Sequence, residues 1–192
     1  MNVILLSSSP NTDGLTAACV EAAAGGAETA LAQASRRDLT REQVGRCSQC
    51  GNGWGTCRDE HLCQVHDGFQ DLHAAVNEAD GVVLVTPVYW GEASESMKAF
   101  LDRLRRCEAL RGDSPLKGRP FMLVAAAGGG GGGVSTCLDQ LERFCNHVGA
   151  RRHDLLGVTR ATRGTALPAI ENSAREMVTR HLSGAVDGGR TE

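Results

Sequence analysis

A parallel sheet wound on both faces by helices, an α/β fold, is what this 192-residue sequence predicts. Three observations predict it. Short apolar runs alternate with helical patterns from end to end, the order of a βαβ chain. The run Gly81-Val82-Val83-Leu84-Val85 is apolar throughout, as a strand buried on both faces has to be. Unusual loops follow the first, third and fourth of these runs, at the sheet edge where such folds bind ligands.

The first strand covers about residues 2–7 and leads through a polar turn, Ser8 to Gly14, into an Ala-rich helix from Leu15 to Ala24. Gly25-Gly26 should end or weaken that helix, because glycine is a weak helix former. A second strand is expected near Leu31 to Arg36, where small and polar residues alternate. Residues 46–68 carry four of the eight cysteines and no apolar period, so they read as an irregular insertion. A helix over Phe69 to Glu78 precedes the third strand at 81–86, which Pro87 should terminate because proline has no ladder donor.

Ser94 is a fitting N-cap for a helix to Cys107 that places Met97, Phe100, Leu101 and Leu104 on one stripe toward the sheet. Pro115 and Pro120 bracket a connection to the fourth strand, Phe121 to Ala127. Six glycines, Gly128 to Gly133, then open a helix with Leu138, Leu141, Phe144 and Cys145 inward. A fifth strand near Asp154 to Thr159 and a helix near Pro168 to Leu182 complete the series. Five strands alternating with five helices match the flavodoxin-like arrangement, a three-layer doubly wound five-stranded sheet of order 2-1-3-4-5. The expected organisation is a single domain over 1–183 with the insertion at 46–68, followed by a frayed polar tail at 184–192.

Composition narrows the function. A formal net charge of -3 with dispersed arginines leaves no footprint for nucleic acid. The first apolar run is far too short to span a bilayer, and Met1-Asn2 offers no basic start for an export signal, so no membrane association and a cytoplasmic location are expected. In that setting the cysteines read as thiols or as metal or cluster ligands rather than disulfides.

Three loops carry the chemistry. Ser7, Ser9, Pro10, Asn11, Thr12, Gly14, Leu15 and Thr16 set hydroxyls, an amide and free N–H groups at a helix start, where the dipole favours a phosphate. No Gly-Lys-Ser/Thr ending follows, so a monophosphate fits better than a nucleoside triphosphate. A capped helix with a Ser-rich turn would use the same residue types. Pro87, Val88, Tyr89, Trp90 and Gly91 form a rigid loop holding the only tyrosine and one of two tryptophans, suited to a flat ring, or to sealing the core or a subunit contact. Gly128, Gly129 and Gly130 open a side-chain-free loop that lets a cofactor edge or nicotinamide approach, or that serves as a linker. The homopolymer satisfies a dinucleotide fingerprint only because it satisfies every glycine pattern.

Cys47, Cys50, Cys57 and Cys63 put four thiols within seventeen residues, enough for a four-iron cluster or zinc, with His61 and His66 as substitute ligands. Free thiols or a redox disulfide are the alternatives. Cys19, Cys107, Cys137 and Cys145 fall on helices and read as small apolar residues.

Ser9-Pro10-Asn11-Thr12, the Cys47–Cys63 segment, Thr86 to Gly91 and the block Ser94 to Arg103 together resemble the NADPH-dependent FMN reductase group, with the iron–sulfur flavoproteins as the nearest branch. The resemblance implies that Ser9, Asn11, Leu15 and Thr16 hold the FMN phosphate, that Pro87 to Gly91 line the ring and that Gly128 onward closes its other edge. It also implies NAD(P)H as co-substrate, a small electron acceptor such as flavin or quinone, and a homodimer or homotetramer. An electron-transfer flavoprotein, or a metal- or thiol-binding module on the same scaffold, are the competing readings. Two departures stand out: Asn11 replaces an Arg common in the group, and six residues separate Cys50 from Cys57 where the compact cluster motif has two.

Overall fold

The computed structural model describes residues 1–182, so the tail expected at 184–192 lies outside the described residues. In chain order the elements are β1 (Asn2–Ser7), α1 (Leu15–Thr29), β2 (Gln33–Asp38), α2 (Cys50–Gly53), α3 (Thr56–Asp59), α4 (Phe69–Glu78), β3 (Gly81–Tyr89) and β4 (Glu92–Ala93). They continue with α5 (Glu95–Glu108), β5 (Pro120–Ala127), α6 (Val134–Val148), β6 (Arg151–Thr159) and α7 (Arg163–Leu182). The parallel strands run in the order β2-β1-β3-β5-β6, which is the expected 2-1-3-4-5 once the two-residue β4, antiparallel to β3, is set aside.

Alternation along the strands divides the core between the two faces. Ile4, Leu6, Leu84 and Phe121 pack with Phe69, Phe100 and Phe144 under α4, α5 and α6. Val3, Leu5, Val85 and Met122 pack on the other face with Ala23, Ile170 and Met177 of α1 and α7. The stripe foreseen on α5 is buried at all four positions.

Several boundaries differ from the sequence reading, each for a physical reason. Helix α1 continues through Gly25-Gly26 to Thr29 because Gly26 lies against α7: a Cβ there would meet the Glu171 carbonyl oxygen at 2.0 Å. The glycine answers to helix packing and not to helix termination. Strand β2 begins two residues later than expected, at Gln33.

Pro87 does not stop β3. Val85 accepts a bond from Ser8 N–H and so points toward β1; by alternation Pro87 faces the same side, where β1 has already ended at Ser7. Its missing donor therefore has no partner to disappoint. The strand runs on to Tyr89 and turns back through Trp90 and Gly91, both at positive φ (52° and 86°), into β4. Strand β6 starts at Arg151, ahead of its apolar residues, and α7 starts at Arg163, five residues before Pro168, with Thr162 O accepting from Thr165 and Ala166 N–H.

Candidate functional site

Because the strands are parallel, the loops after β1, β3 and β5 leave the same edge of the sheet. A buried hydroxyl network joins the first two. Ser8 Oγ donates to Thr86 Oγ1 at 3.0 Å, Thr86 Oγ1 also accepts from Ser94 N–H at 3.0 Å, and Ser94 Oγ donates to the Ser8 carbonyl at 3.0 Å. The second and third loops touch directly: a Cβ on Gly133 would lie 2.4 Å from Gly91 Cα. Thr136 Oγ1 donates to Gly91 O at 2.6 Å and Gln140 Oε1 accepts from Ala93 N–H at 2.8 Å, so α6 braces the hairpin.

The first loop is open at its helix. Gly14 stands at the N-cap of α1 with no side-chain cap bond, so the first N–H groups of the helix keep their hydrogen-bonding capacity. Ser9 and Thr16 are buried, Gly14, Leu15 and Ser7 half-buried, and Pro10, Asn11 and Thr12 exposed. Ser9 Oγ accepts from Asn11 N–H at 3.2 Å, which shapes the turn.

A cavity of about 220 Å³ beside the loop is lined by Ser9, Asn11 and Thr12 together with Arg36, Arg37 and Arg41. Those arginines are already engaged, with Glu21 and Glu28, with Glu42, and with Asp38. The hydrogen bond to Glu28 holds Arg36 above the ordinary arginine value, and that to Glu42 does the same for Arg37. The loop thus offers neutral donors beside charge that is balanced.

In the hairpin, Pro87 is buried and Val88 half-buried, whereas Tyr89 is 44% and Trp90 104% exposed. The aromatic pair does not seal the core. Gly128, Gly129 and Gly130 are exposed and a Cβ on any of them would meet nothing within 4 Å. The glycines with a backbone requirement are Gly131 and Gly133, at φ 90° and 82°.

The cysteine segment leaves the same edge after β2 and packs against α5. Cys47, Cys50, Cys57 and Cys63, all half-buried free thiols, line one cavity of about 20 Å³ with Gln64, Arg103 and Arg106. Among the described residues no three His, Cys, Asp or Glu groups converge on a single-ion site. His61 and His66 do not line the cavity; His61 Nδ1 instead lies 3.1 Å from the Cys107 carbonyl.

Two arginines hold the segment. Arg103, 1% exposed, stacks over Phe69 and donates to both Asp67 carboxylate oxygens (2.9 and 2.6 Å), to Gly45 and Val65 carbonyls, and to Cys63 Sγ at 3.3 Å. Burial works against the Asp67 charge, but Arg103 and the Gly45 and Phe69 N–H groups hold its carboxyl below the usual carboxylate range. Arg106 donates to Gly53 O and lies over the Trp54 ring.

At the far end of α5, Glu108 is buried against His73 Nε2 (2.5 Å), Ser114 and Asn77. Burial opposes its charge, yet these partners bring its carboxyl down to about 2. The four helical cysteines are buried as expected, and burial raises Cys19 and Cys137 to about 11 and Cys107 and Cys145 to about 12, which makes them inert thiols.

The sequence reading missed Ser8 as a network member and Arg103 as a peg. A signal for Arg103 was present: Phe100, Arg103 and Cys107 recur at helical spacing, a charge on an inward stripe, and a buried charge needs a partner.

The family described as NADPH-dependent FMN reductase matches residues 1–153. An iron-sulfur flavoprotein of Methanocaldococcus jannaschii is 28% identical over 144 residues, 75% of this chain and 71% of that protein. An iron-sulfur flavoprotein of Methanosarcina thermophila is 32% identical over 65 residues, 34% of this chain, and the match spans only 32% of that protein's length. Among solved structures a flavone reductase superposes with TM-score 0.78 at 13% identity, covering 99% of this chain and 66% of that one, a likeness of fold. No described helix is long and apolar enough to cross a membrane. With a match over most of its length, this chain belongs to the NADPH-dependent FMN reductase family.

Proposed function

We propose that the protein is an FMN-binding oxidoreductase that uses NAD(P)H and passes electrons to a small acceptor such as free flavin or a quinone, working as a homodimer or homotetramer. Family membership supports the flavin-dependent oxidoreductase class. The observation that carries the site is the meeting of the three loops through Ser8, Thr86, Ser94 and the Gly91–Gly133 contact, beside a helix start with no cap of its own.

The donor set fits FMN. Ser9, Asn11, Thr12 and Thr16, with the free N–H groups that open α1, suit a phosphate dianion. With the lining arginines Arg36, Arg37 and Arg41 already paired, the N–H donors and the helix dipole would carry the phosphate. Pro87 to Gly91 would line the ring edge, and Gly128 to Gly130 leave room for a nicotinamide or acceptor. When bound, FMN supplies the redox chemistry by accepting hydride from the nicotinamide and releasing electrons to the acceptor. The protein's own task is to orient: the buried hydroxyl network fixes the two loops, and α6 fixes the hairpin. Main-chain N–H groups near the ring would stabilise developing negative charge. No side-chain acid or base is assigned.

A test is titration of the apoprotein with FMN and with riboflavin, followed by flavin absorbance. FMN should bind at least about 30-fold more tightly, about 2 kcal/mol. Equal affinity would remove the phosphate assignment, and no flavin binding would remove the reading altogether.

A second reading is favoured by one observation, the four cysteines on one cavity: the segment holds an iron–sulfur cluster. A tetrahedral zinc would draw four sulfurs to within ~3.8 Å of one another, and no such convergence exists among the described residues. The enclosed space holds about one water.

A further inference from the structure

We propose that Cys57 and Cys63 are a redox-active dithiol, an oxidative modification site that closes to an internal disulfide by exchange with a small-molecule disulfide of the glutathione class. It competes with the cluster reading and rests on no bound cofactor. Two features that suit no metal centre suit this pair. The cavity on which the four free thiols border holds about one water, and among the described residues no three His, Cys, Asp or Glu groups gather on one ion. A disulfide needs two sulfurs and no space between them, its S–S bond being about 2 Å long.

Cys57 and Cys63 both line the cavity and both pack against the core cluster that contains Cys107 of α5. The chain doubles back between them, with His61 at φ 59° in the reversal. Thr56 donates its N–H to Gln64 Oε1 at 3.2 Å and its hydroxyl to the Leu62 carbonyl at 2.7 Å, so the residues on either side of Cys63 are tied to the one before Cys57. Arg103 Nη2, 3.3 Å from Cys63 Sγ, holds that sulfur at the cavity wall. Cys47 and Cys50 lie outside this clamp, among exposed Ser48, Gln49, Gly51 and Asn52. The pair is half-buried, within reach of a small disulfide, whereas the four helical thiols are buried. In the exchange one sulfur attacks the small disulfide, breaking its S–S bond and releasing one small thiol. The second sulfur then attacks the mixed disulfide and releases the other. The two cysteines lose two protons and two electrons, and the small disulfide takes up both.

The experiment takes the full chain, purified anaerobically in reductant and assayed for iron, through a series of reduced-to-oxidised glutathione ratios. Remaining thiols are then alkylated and the peptides mapped by mass. Two thiols should disappear together, with one peptide pair cross-linked between Cys57 and Cys63. Cys57→Ser and Cys63→Ser should each stop at a mixed disulfide with glutathione, while the Cys47→Ser, Cys50→Ser double variant should still close; if the variants fail to fold by circular dichroism, the wild-type map decides. A Cys47–Cys50 link in place of the expected one, or four unchanged thiols at the most oxidising ratio, would overturn the inference. So would iron held by these thiols in the purified chain, which would favour the cluster reading instead. None of these readouts uses flavin, so the FMN reading stands or falls separately.

Discussion

The crevice at the sheet edge and the cysteine cavity over α5 leave the same side of the molecule but are built differently. The crevice is made of main chain: an uncapped helix start, a two-residue hairpin turn and a glycine contact, braced by short buried hydroxyls. The cavity is made of side chains: four thiols around it and two arginines pinning its loop to one helix. A site made of main chain inherits its rigidity from the sheet, whereas one made of side chains depends on each peg. Variants that strike one region should therefore spare the other.

The largest effect is expected at the far end of α5, at a buried side-chain pair that belongs to neither region and should spare both. His73→Ala leaves the buried Glu108 carboxylate without its closest partner, at roughly 3–5 kcal/mol of stability. Chemical denaturation should show the loss, and FMN affinity of the folded fraction should hold. The same group sets an acid dependence. Glu108 is depressed from an ordinary value of 4.5 to about 2 in the fold. Its contribution is therefore complete above pH 4.5 and is lost as pH falls from there toward 2. Glu108→Gln should flatten stability against pH across that window; a slope as steep as that of wild type would assign the acid sensitivity elsewhere.

On the main-chain side, Gly133→Ala asks alanine to adopt φ 82° and sets its methyl against Gly91. About 2–4 kcal/mol of stability should go, together with flavin affinity, measured by thermal unfolding and by flavin titration. Retained affinity at lowered stability would mean that the two loops need not touch for binding. Smaller in stability and specific in affinity, Ser9→Asp sets a carboxylate against the phosphate. FMN should bind roughly 100-fold more weakly, about 2.7 kcal/mol, with riboflavin much less affected. An equal loss for both flavins would move the phosphate away from Ser9.

How much of this was legible in the sequence differs between the two regions. Strand order, helices on both faces and the meeting of three loops followed from alternation of apolar runs, because a parallel sheet sends every strand's exit to one edge. Ser94 as a cap was legible as well, and its hydroxyl does accept from Met97 N–H while donating to Ser8. Pro87 and Gly26 misled for one reason: their local rules hold only if a partner strand continues, or if no other helix approaches. Both conditions are tertiary. Arg103 fell visibly on the inward stripe between Phe100 and Cys107, but its partners Asp67 and Cys63 come from a segment with no period to place them.

By itself the sequence determined the fold, the family and the residue types at the sheet edge, since periodicity and turn chemistry act over a few residues and survive without knowledge of the rest. Only the tertiary structure decided that Pro87 stays in the strand, that Trp90 projects into solvent, that Gly131 and Gly133 carry the backbone requirement of the glycine run, and that one arginine of α5 reaches Cys63. Those outcomes depend on which element arrives from forty or more residues away, such as the 40 positions between Cys63 and Arg103, and no local pattern encodes that arrival.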